Sequence, residues 1–497
     1  MDKLYSLQNG TDIRGVAYKD DKSDLDITLT KEDVKNLVRG FATWIIDKDK
    51  KDQIKISIGT DSRLTGPDFR QACIEALTEI GVDVIDCGMS TTPAMFMSTI
   101  IDGYECDGAI MFTASHMPYV YNGLKMFTSK GCLEKTDIKD LIDICVGRNF
   151  VEGKSKGKVV SKDLIGDYAQ ILVDKIRAGV NSPENYEKPL AGMKIIVDAG
   201  NGAGGFFADK VLARLGADTE GSQFLNPDGM FPNHIPNPEN KEAMASICQA
   251  TLDNKGDLGI IFDTDVDRAA IVGPNGRPIN KNALIALIST IILEEHPQTT
   301  IVTDSVTSNG LASFIKAKGG IHHRFKRGYK NVINEAIRLN EEGRESHLAI
   351  ETSGHAAIKE NYFLDDGAYL ISKILVKAAQ LYRESQDIGK LIGDLDEALE
   401  DKEVRLKIET FPEAQKNSYL SRLTLNTEIN ESELNNYLRD NSENYKKFQD
   451  KLKTEKNINP KFISMNSLKN IYEEITDGKM TDMNYEFYFM FSEKNNF

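Results

Sequence analysis

Three stretches of this chain repeat one pattern, and that pattern leaves few folds open. Residues 54–86 run from the apolar segment IKISIG through Asp61 and a short small-residue loop into PDFRQACIEALTEI, stop at Gly81 and resume as VDVID. Residues 194–220 repeat it as KIIVDAGNGAGG, a helix through VLARL, and Gly216. Residues 300–325 repeat it again as TIVTDSVTSNG, LASFIKAKGG and IHHRF. Each unit is a strand, an aspartate at its end, a turn of small residues, a helix, a glycine stop and a new strand. Strand-length apolar runs alternating with helical runs specify a mainly parallel sheet covered by helices. Three units imply three α/β domains, with a site in the cleft between them. At 497 residues the chain exceeds what one core supports, and about three or four domains are expected.

The punctuation places the boundaries. GRNFVEGKSKGKVVSKD (147–163) is polar and rich in Gly and Lys, Gly273-Pro274-Asn275-Gly276 is a strong turn signal, and the helical run 367–399 closes a third segment. We therefore expect domains at 1–155, 156–274 and 275–399. A fourth, 400–497, has a different texture: EINESELNNYLRDNSENYKKFQDKLKTEKN is highly charged and poor in large apolar residues.

Two loops carry the chemistry. In 110–127, IMFTASHMPYVYNGLKMF, an apolar strand ends in a small-residue loop with Ser115 at its tip and His116 beside it. Pro118 keeps that loop from closing into a helix, and Lys125 returns a cation to the neighbourhood. A serine is a poor nucleophile until a base, cation or metal activates it; alone, this segment reads as a polar loop with a surface serine. In 259–273, GIIFDTDVDRAAIVG, Asp263, Asp265 and Asp267 are packed between two apolar runs. Three carboxylates on alternate residues repel one another without a cation. They supply three oxygen ligands to a small hard ion and leave positions for substrate phosphate, as Mg²⁺ favours. Arg268 follows and is placed to take a phosphate oxygen.

Together, in this order, the loops resemble the TASHNP-like serine loop and the DxDxDR loop of the α-D-phosphohexomutases, the phosphoglucomutase and phosphomannomutase family. Further segments are similar to that family's motifs: Asp12-Ile13-Arg14-Gly15-Val16, Gly59-Thr60-Asp61-Ser62-Arg63, and the G-x-x-x-T-P run from Gly88 to Pro93. Glu351-Thr352-Ser353-Gly354-His355 resembles its sugar-reading GExSGH loop, followed by Asp365-Asp366-Gly367. The resemblance covers about residues 10–400 by motif matching. It implies three α/β domains plus a smaller α+β carboxyl-terminal domain around an active-site cleft. It further implies a phosphorylated Ser115, Mg²⁺ held by Asp263, Asp265, Asp267 and Ser115, and a hexose 1,6-bisphosphate that serves as intermediate and primer. Lys125, His116 and Arg14 would surround the transferring group, with Lys125 or His355 as general base. Glu351 and Ser353 would bind the sugar hydroxyls, and Lys326 would face the substrate. Met117 stands where the family usually has Asn. The metal loop DTDVDR points to glucose or mannose phosphate rather than the glucosamine derivative.

One departure runs the other way. The family's late RxSGTEP or RxSxxxP phosphate loop has no counterpart in the sequence, where Ser492 and Lys494 are the substitutes at hand. An arginine fork is the strong way to hold the non-reacting phosphate. Its replacement by another group or a partner chain, or a weakened paralogue that binds sugar phosphates without efficient turnover, are the alternatives. Two rival enzymes fit less well. Gly200–Gly205 satisfies the dinucleotide pattern GxGxxG, but no acidic residue closes the next strand as that fingerprint requires. IIFDTDVD resembles a haloacid-dehalogenase motif, yet Asp267 stands where Thr or Val belongs.

Charge sets further limits. A net charge of −15 argues against a nucleic-acid surface. The six cysteines form no metal spacing, and Cys73, Cys145 and Cys248 are expected as reduced core residues. His322 and His323 are expected to be structural. MDKLYSLQNGTD is not a signal segment, and no apolar stretch approaches the ~18 residues of a membrane span. A cytoplasmic monomer or homodimer acting on a hexose phosphate is the expectation.

Overall fold

The computed structural model describes residues 3–20, 24–153 and 155–396, with the backbone of Val404–Arg405, Leu420–Leu425 and Tyr485–Met490. Residues up to Asp396 form one body built on three sheets. The other three strands belong to a second body and pair in the order Val404–Arg405, Tyr485–Met490, Leu420–Leu425. The rest of the segment expected as a fourth domain, including Ser492 and Lys494, lies outside the described residues.

Each repeat forms as its pattern dictates. In the first sheet, Lys55–Thr60 lies between Asp83–Met89 and Gly108–Phe112 and is parallel to both. Gly108–Phe112 then pairs antiparallel with Tyr121–Thr128, which pairs antiparallel with Asp12–Val16. The covering helix Lys31–Asp49 starts at a capping box made by Thr30 and Asp33. It buries Val34, Leu37, Val38, Phe41 and Ile45 at helical spacing. Helix Gly66–Glu79 begins with Pro67 in its first turn, where the missing N–H costs nothing.

The second sheet has the order Pro278–Ile279, Ala269–Val272, Leu258–Phe262, Ile195–Asp198, with only the last pair parallel. The third has the order Ile321–Phe325, Thr300–Asp304, Ser346–Ile350, Ala356–Ile358, Leu364–Asp365, and its first three strands are parallel. His322 meets Thr303 Oγ1 at 2.8 Å and His323 meets Glu335 at 2.9 Å, so both side chains serve that domain's own packing.

The structure shifts four expectations. Val159–Ser161 pairs in parallel with Asp83–Met89, so the first sheet continues past 155: the Gly/Lys-rich stretch leads back to the sheet edge instead of leaving it. Gly273–Gly276 is the turn of a hairpin in which Val272 faces Pro278, so the second sheet continues past 274. The helix expected through VLARL is a π-turn, Phe207–Leu212, followed by a 3₁₀ turn, Ala213–Leu215. The helical run expected over 367–399 ends at Arg383, where Ser385 has a positive φ, and a separate 3₁₀ turn covers Ile388–Ile392.

One apolar core joins the three domains. Helix Leu164–Val180 packs against helix Gly367–Arg383, and Tyr168 donates its hydroxyl to both oxygens of the buried Asp366 at 2.7 Å. Phe207 is fully buried between Phe206 and Phe262, with ring centroids 6.1 and 5.3 Å away. Among the described residues no helix is long and apolar enough to cross a membrane, and Cys73 and Cys145 are free and buried while Cys248 is half-buried. Phe207→Ala is expected to lower the unfolding free energy by about 3–5 kcal/mol, measured as a lower urea midpoint.

Candidate active site

The loops that follow Gly108–Phe112, Leu258–Phe262 and Ser346–Ile350 all leave the carboxyl ends of their strands, where open α/β sheets bind ligands. The strand register makes the first junction. Thr60 pairs with Phe112, so the Asp61–Arg63 turn and the serine loop emerge side by side. Arg63 is fully buried and donates to four backbone oxygens of that loop: Ser115 and Met117 at 2.6 Å, Tyr121 at 2.7 Å and Pro118 at 2.9 Å. Asp61, itself buried, accepts from the Arg63 amide at 2.9 Å. Burial raises the Asp61 carboxyl to about 6 even though Arg63 opposes the shift.

Ser115 sits in the left-handed region, φ 50°, a conformation that non-glycine residues seldom adopt. Its amide donates to Thr113 Oγ1 at 2.9 Å. Its hydroxyl donates to Asp263 Oδ2 at 3.0 Å and accepts from an Arg268 nitrogen at 2.8 Å. Val266, in the acidic loop, also has positive φ, 68°, although it is β-branched. Strain is therefore stored in both loops that meet at the serine.

Asp263, Asp265 and Asp267 bring one oxygen each within 4.8 Å of one another, and all three are buried. Thr92 donates to Asp265 through both its amide, at 2.9 Å to the backbone oxygen, and its hydroxyl, to the carboxylate. Lys125 bridges Asp265, at 3.0 Å, and Asp267. Burial raises Asp263 well above the usual carboxylate range, reinforced by Asp267. Burial would also raise Asp267, but Lys125, His355 and Arg268 hold it low. Asp265 Oδ1 and Asp267 Oδ1 are buried without a hydrogen-bond partner. A converging carboxylate set with two orphaned oxygens fits a small, oxygen-preferring divalent cation.

Other expected residues gather around this pair. Gly123 lies beside Arg14 in the register, and a side chain there would collide with the Ile13 carbonyl. Arg14 is part-buried and donates to Asp12 at 2.7 Å. Arg268 donates to His116 Nδ1 at 2.6 Å, and its charge pushes that imidazole well below the usual range. His355 follows the sugar-type loop and is bridged by backbone to Arg268. Its Nδ1 faces Asp365 directly and lies 3.9 Å from Asp267. Burial would lower His355, but the two carboxylates raise it to about 9. Lys125, despite burial, is raised well above its ordinary value by Asp265 and Asp267. Both groups expected as a general base are thus shifted toward their protonated forms by the carboxylates beside them.

Glu351 is buried and accepts from Ser353 Oγ at 3.3 Å and from the Gly328 amide. Lys326 is exposed just beyond Ile321–Phe325 and joins none of these contacts. Sequence reading assigned no role to Arg63, Thr92, Asp365 or Tyr329. Tyr329 stacks on His355 at 5.0 Å and meets Thr11 Oγ1 at 2.8 Å, tying the third domain to the first. Three of the four stood inside motifs already singled out, and for Arg63, Thr92 and Tyr329 the partners lie far away in the chain.

The family profiles described as phosphoglucomutase/phosphomannomutase, alpha/beta/alpha domains I, II and III match residues 6–149, 171–276 and 280–397. A phosphoglucomutase from Neisseria meningitidis is 30% identical over 399 residues, 80% of this chain and 79% of its own. A phosphomannomutase/phosphoglucomutase from Pseudomonas aeruginosa is 29% identical over 67% of this chain and 68% of its own. The crystal structure of a phosphoglucomutase/phosphomannomutase family protein from Burkholderia thailandensis superposes with a TM-score of 0.68 at 27% identity, covering 89% of this chain and 85% of that one. Parafusin from Paramecium, at 16% identity and a TM-score of 0.57 over 85% of this chain and 78% of that one, shares the fold.

Arg63→Ala strips four carbonyls of their donor and leaves Asp61 buried without its cation. A loss of about 3–5 kcal/mol is expected, read by urea unfolding, with Arg63→Ala/Asp61→Asn recovering part of it.

Proposed function

We propose that this chain, which belongs to the phosphoglucomutase/phosphomannomutase family, moves a phosphoryl group between C1 and C6 of glucose or mannose phosphate through Ser115. Membership makes it a phosphohexomutase, an isomerase-type phosphotransferase. The observation that carries the finer reading is the Ser115 hydroxyl held between the Asp263 carboxylate and the Arg268 guanidinium.

In the reaction proposed, a sugar hydroxyl oxygen bonds to the phosphorus of phosphorylated Ser115 as the phosphorus–Oγ bond breaks. The hydroxyl proton goes to water, Oγ takes one from the His355 imidazolium, and the imidazole recovers a proton from water. The resulting hexose 1,6-bisphosphate turns round and its other phosphate returns to Oγ by the reverse step. A trace of the same bisphosphate primes an unphosphorylated enzyme. Such transfer depends chiefly on positioning and on neutralising charge. Arg268, Lys125 and Arg14 carry that charge, and His355 adds to it as an imidazolium able to donate a proton. His116, whose Nδ1 accepts from Arg268, lies 3.3 Å from the serine hydroxyl. Glu351 and Ser353 receive the sugar hydroxyls, and Lys326, at the exposed rim, meets the distal phosphate.

Asp263, Asp265 and Asp267 with the Ser115 oxygen would hold Mg²⁺, which when bound supplies charge to the phosphoryl oxygens. The domains proposed to bring these parts together are 1–155, 156–274 and 275–399, adjusted at the two sheet edges described above. A cytoplasmic monomer or homodimer without nucleic-acid partners completes the reading.

The deciding assay is turnover of glucose 1-phosphate and mannose 1-phosphate with Mg²⁺ and a trace of hexose 1,6-bisphosphate. Ser115→Ala is expected to remove several orders of magnitude of kcat and to abolish labelling of the protein by the bisphosphate. Turnover that survives this substitution overturns the reading, and a folded wild type without turnover makes the chain a sugar-phosphate-binding paralogue. Chelation of divalent ions is expected to stop turnover, and added Mg²⁺ to restore it. Unchanged activity after exhaustive chelation excludes the metal from the step.

A further inference from the structure

We propose that His234, paired with Asp198, is a positioning residue that anchors segment 224–240 against the backs of Arg63 and Arg268, and so keeps Ser115 and Asp263 in register. The inference rests on the phosphoryl-transfer reading of Ser115. It gives a task to the Gly200–Gly202 turn of the second repeat.

His234 is buried, with Nε2 at 2.9 and 3.1 Å from the two Asp198 oxygens and Nδ1 at 3.0 Å from the Ile235 carbonyl. Both ring nitrogens face acceptors, so both donate, and the ring is an imidazolium. Burial works against that charge. The hydrogen bond and charge of Asp198 outweigh it and raise the imidazole above its ordinary value, with Glu242 adding to them. Asp198 is fixed in turn by the Gly200 amide at 2.8 Å and by Gln223 Nε2 at 2.7 Å. Gly200 has φ 52°, and a Cβ there would lie 2.8 Å from Pro236 and 3.2 Å from the His234 ring, so the turn closes directly onto the histidine. Asn201 sews down the rest of the segment. Its amide side chain bonds the Asn226 carbonyl at 2.8 Å and accepts from Asn233 at 2.7 Å, while its carbonyl takes the Asp228 amide at 2.9 Å.

The anchored segment reaches the site at three points. Phe231 lies under the Arg63 guanidinium at 5.4 Å. Gly229 packs on the Ser62–Leu64 backbone so closely that a Cβ would sit 2.5 Å from the Ser62 oxygen and 2.6 Å from the Leu64 nitrogen. Asn237 Oδ1 stands 3.5 Å from Arg268. On its other side the same turn holds the acidic loop, where the Ala203 amide donates to the Thr264 carbonyl at 2.8 Å. A charge-assisted bond is the strong kind of anchor, and here one such bond supports both arginines that meet at the serine loop.

The test uses the full chain and three variants: His234→Gln, Asp198→Asn and Phe231→Leu. In folded His234→Gln and Asp198→Asn, kcat is expected to fall about 10- to 100-fold, as is usual for removing an outer partner, with KM little changed. Amide exchange is expected to quicken over 61–64 and 113–121. Imidazole NMR of wild type should show His234 doubly protonated at neutral pH. Phe231→Leu, which leaves the Asp198–His234 pair intact, should show the same kcat-selective fall and carries the test where the other variants do not fold. Wild-type kcat in Phe231→Leu or in folded His234→Gln, unchanged exchange over 113–121, or a neutral His234 ring overturns the inference. Absent turnover in wild type overturns the mutase reading instead, and the exchange measurement then still decides this one.

Discussion

The site stands on the guanidinium of Arg63. A loop that presents Ser115 at a positive φ turns four carbonyl oxygens inward, and four converging dipoles repel one another unless a donor set fills the space between them. A guanidinium has five N–H groups in a fixed plane, whereas an ammonium has three and no plane. Burying that cation costs several kcal/mol, and Asp61, two residues back, offsets part of it. The arrangement follows from sheet register. Because Lys55–Thr60 and Gly108–Phe112 are parallel neighbours, the turn after one delivers the cation that the loop after the other requires. Phe231 then covers the outer face of the guanidinium, so water is kept from the bonds that shape the serine loop.

The acidic loop has the opposite imbalance. Asp263, Asp265 and Asp267 are surrounded by Arg268 and Lys125, yet two of their oxygens have no donor. Proteins seldom leave buried carboxylate oxygens unmatched, so the set is arranged for charge that arrives with a ligand or ion. The same logic separates the two histidines. His116, bonded to Arg268, is held neutral. His355, between Asp365 and Asp267, is held charged. The two imidazoles are thus shifted in opposite directions by the groups fixed beside them.

The repeats made the strands and the three α/β units legible, because apolar alternation is a local signal. Ser115 and the three aspartates stood out only as a pair of loops: alone the serine segment reads as a polar loop, and its order with the acidic loop carries the resemblance. Domain edges were less so: Val159–Ser161 is a strand only because the Asp83–Met89 edge is open to it, and Gly273–Gly276 makes the same turn in a hairpin as in a linker. The helix at Phe207–Leu212 is wound as a π-helix instead of an α-helix, a difference that the apolar spacing of the segment does not signal. Arg63 and His234 escaped assignment for a related reason. Each acts through a partner on another strand or loop, and only the folded register shows the pairing.

The reaction proposed above performs one displacement twice, in opposite directions, on a substrate that turns round between them. Catalysis by groups that had to move into place would require the same reorganisation in each half-reaction. Here the charged groups are set by interactions that do not involve substrate: Arg63 by carbonyls, Lys125 by two aspartates and His355 by Asp365. Preorganised charge costs no reorganisation at the moment of transfer. The sugar-type loop reinforces this, since the backbone bridge between Arg268 and His355 fixes the sugar side of the site to the phosphoryl side. On the proposed reaction, one serine with one preset group of charges would serve both directions.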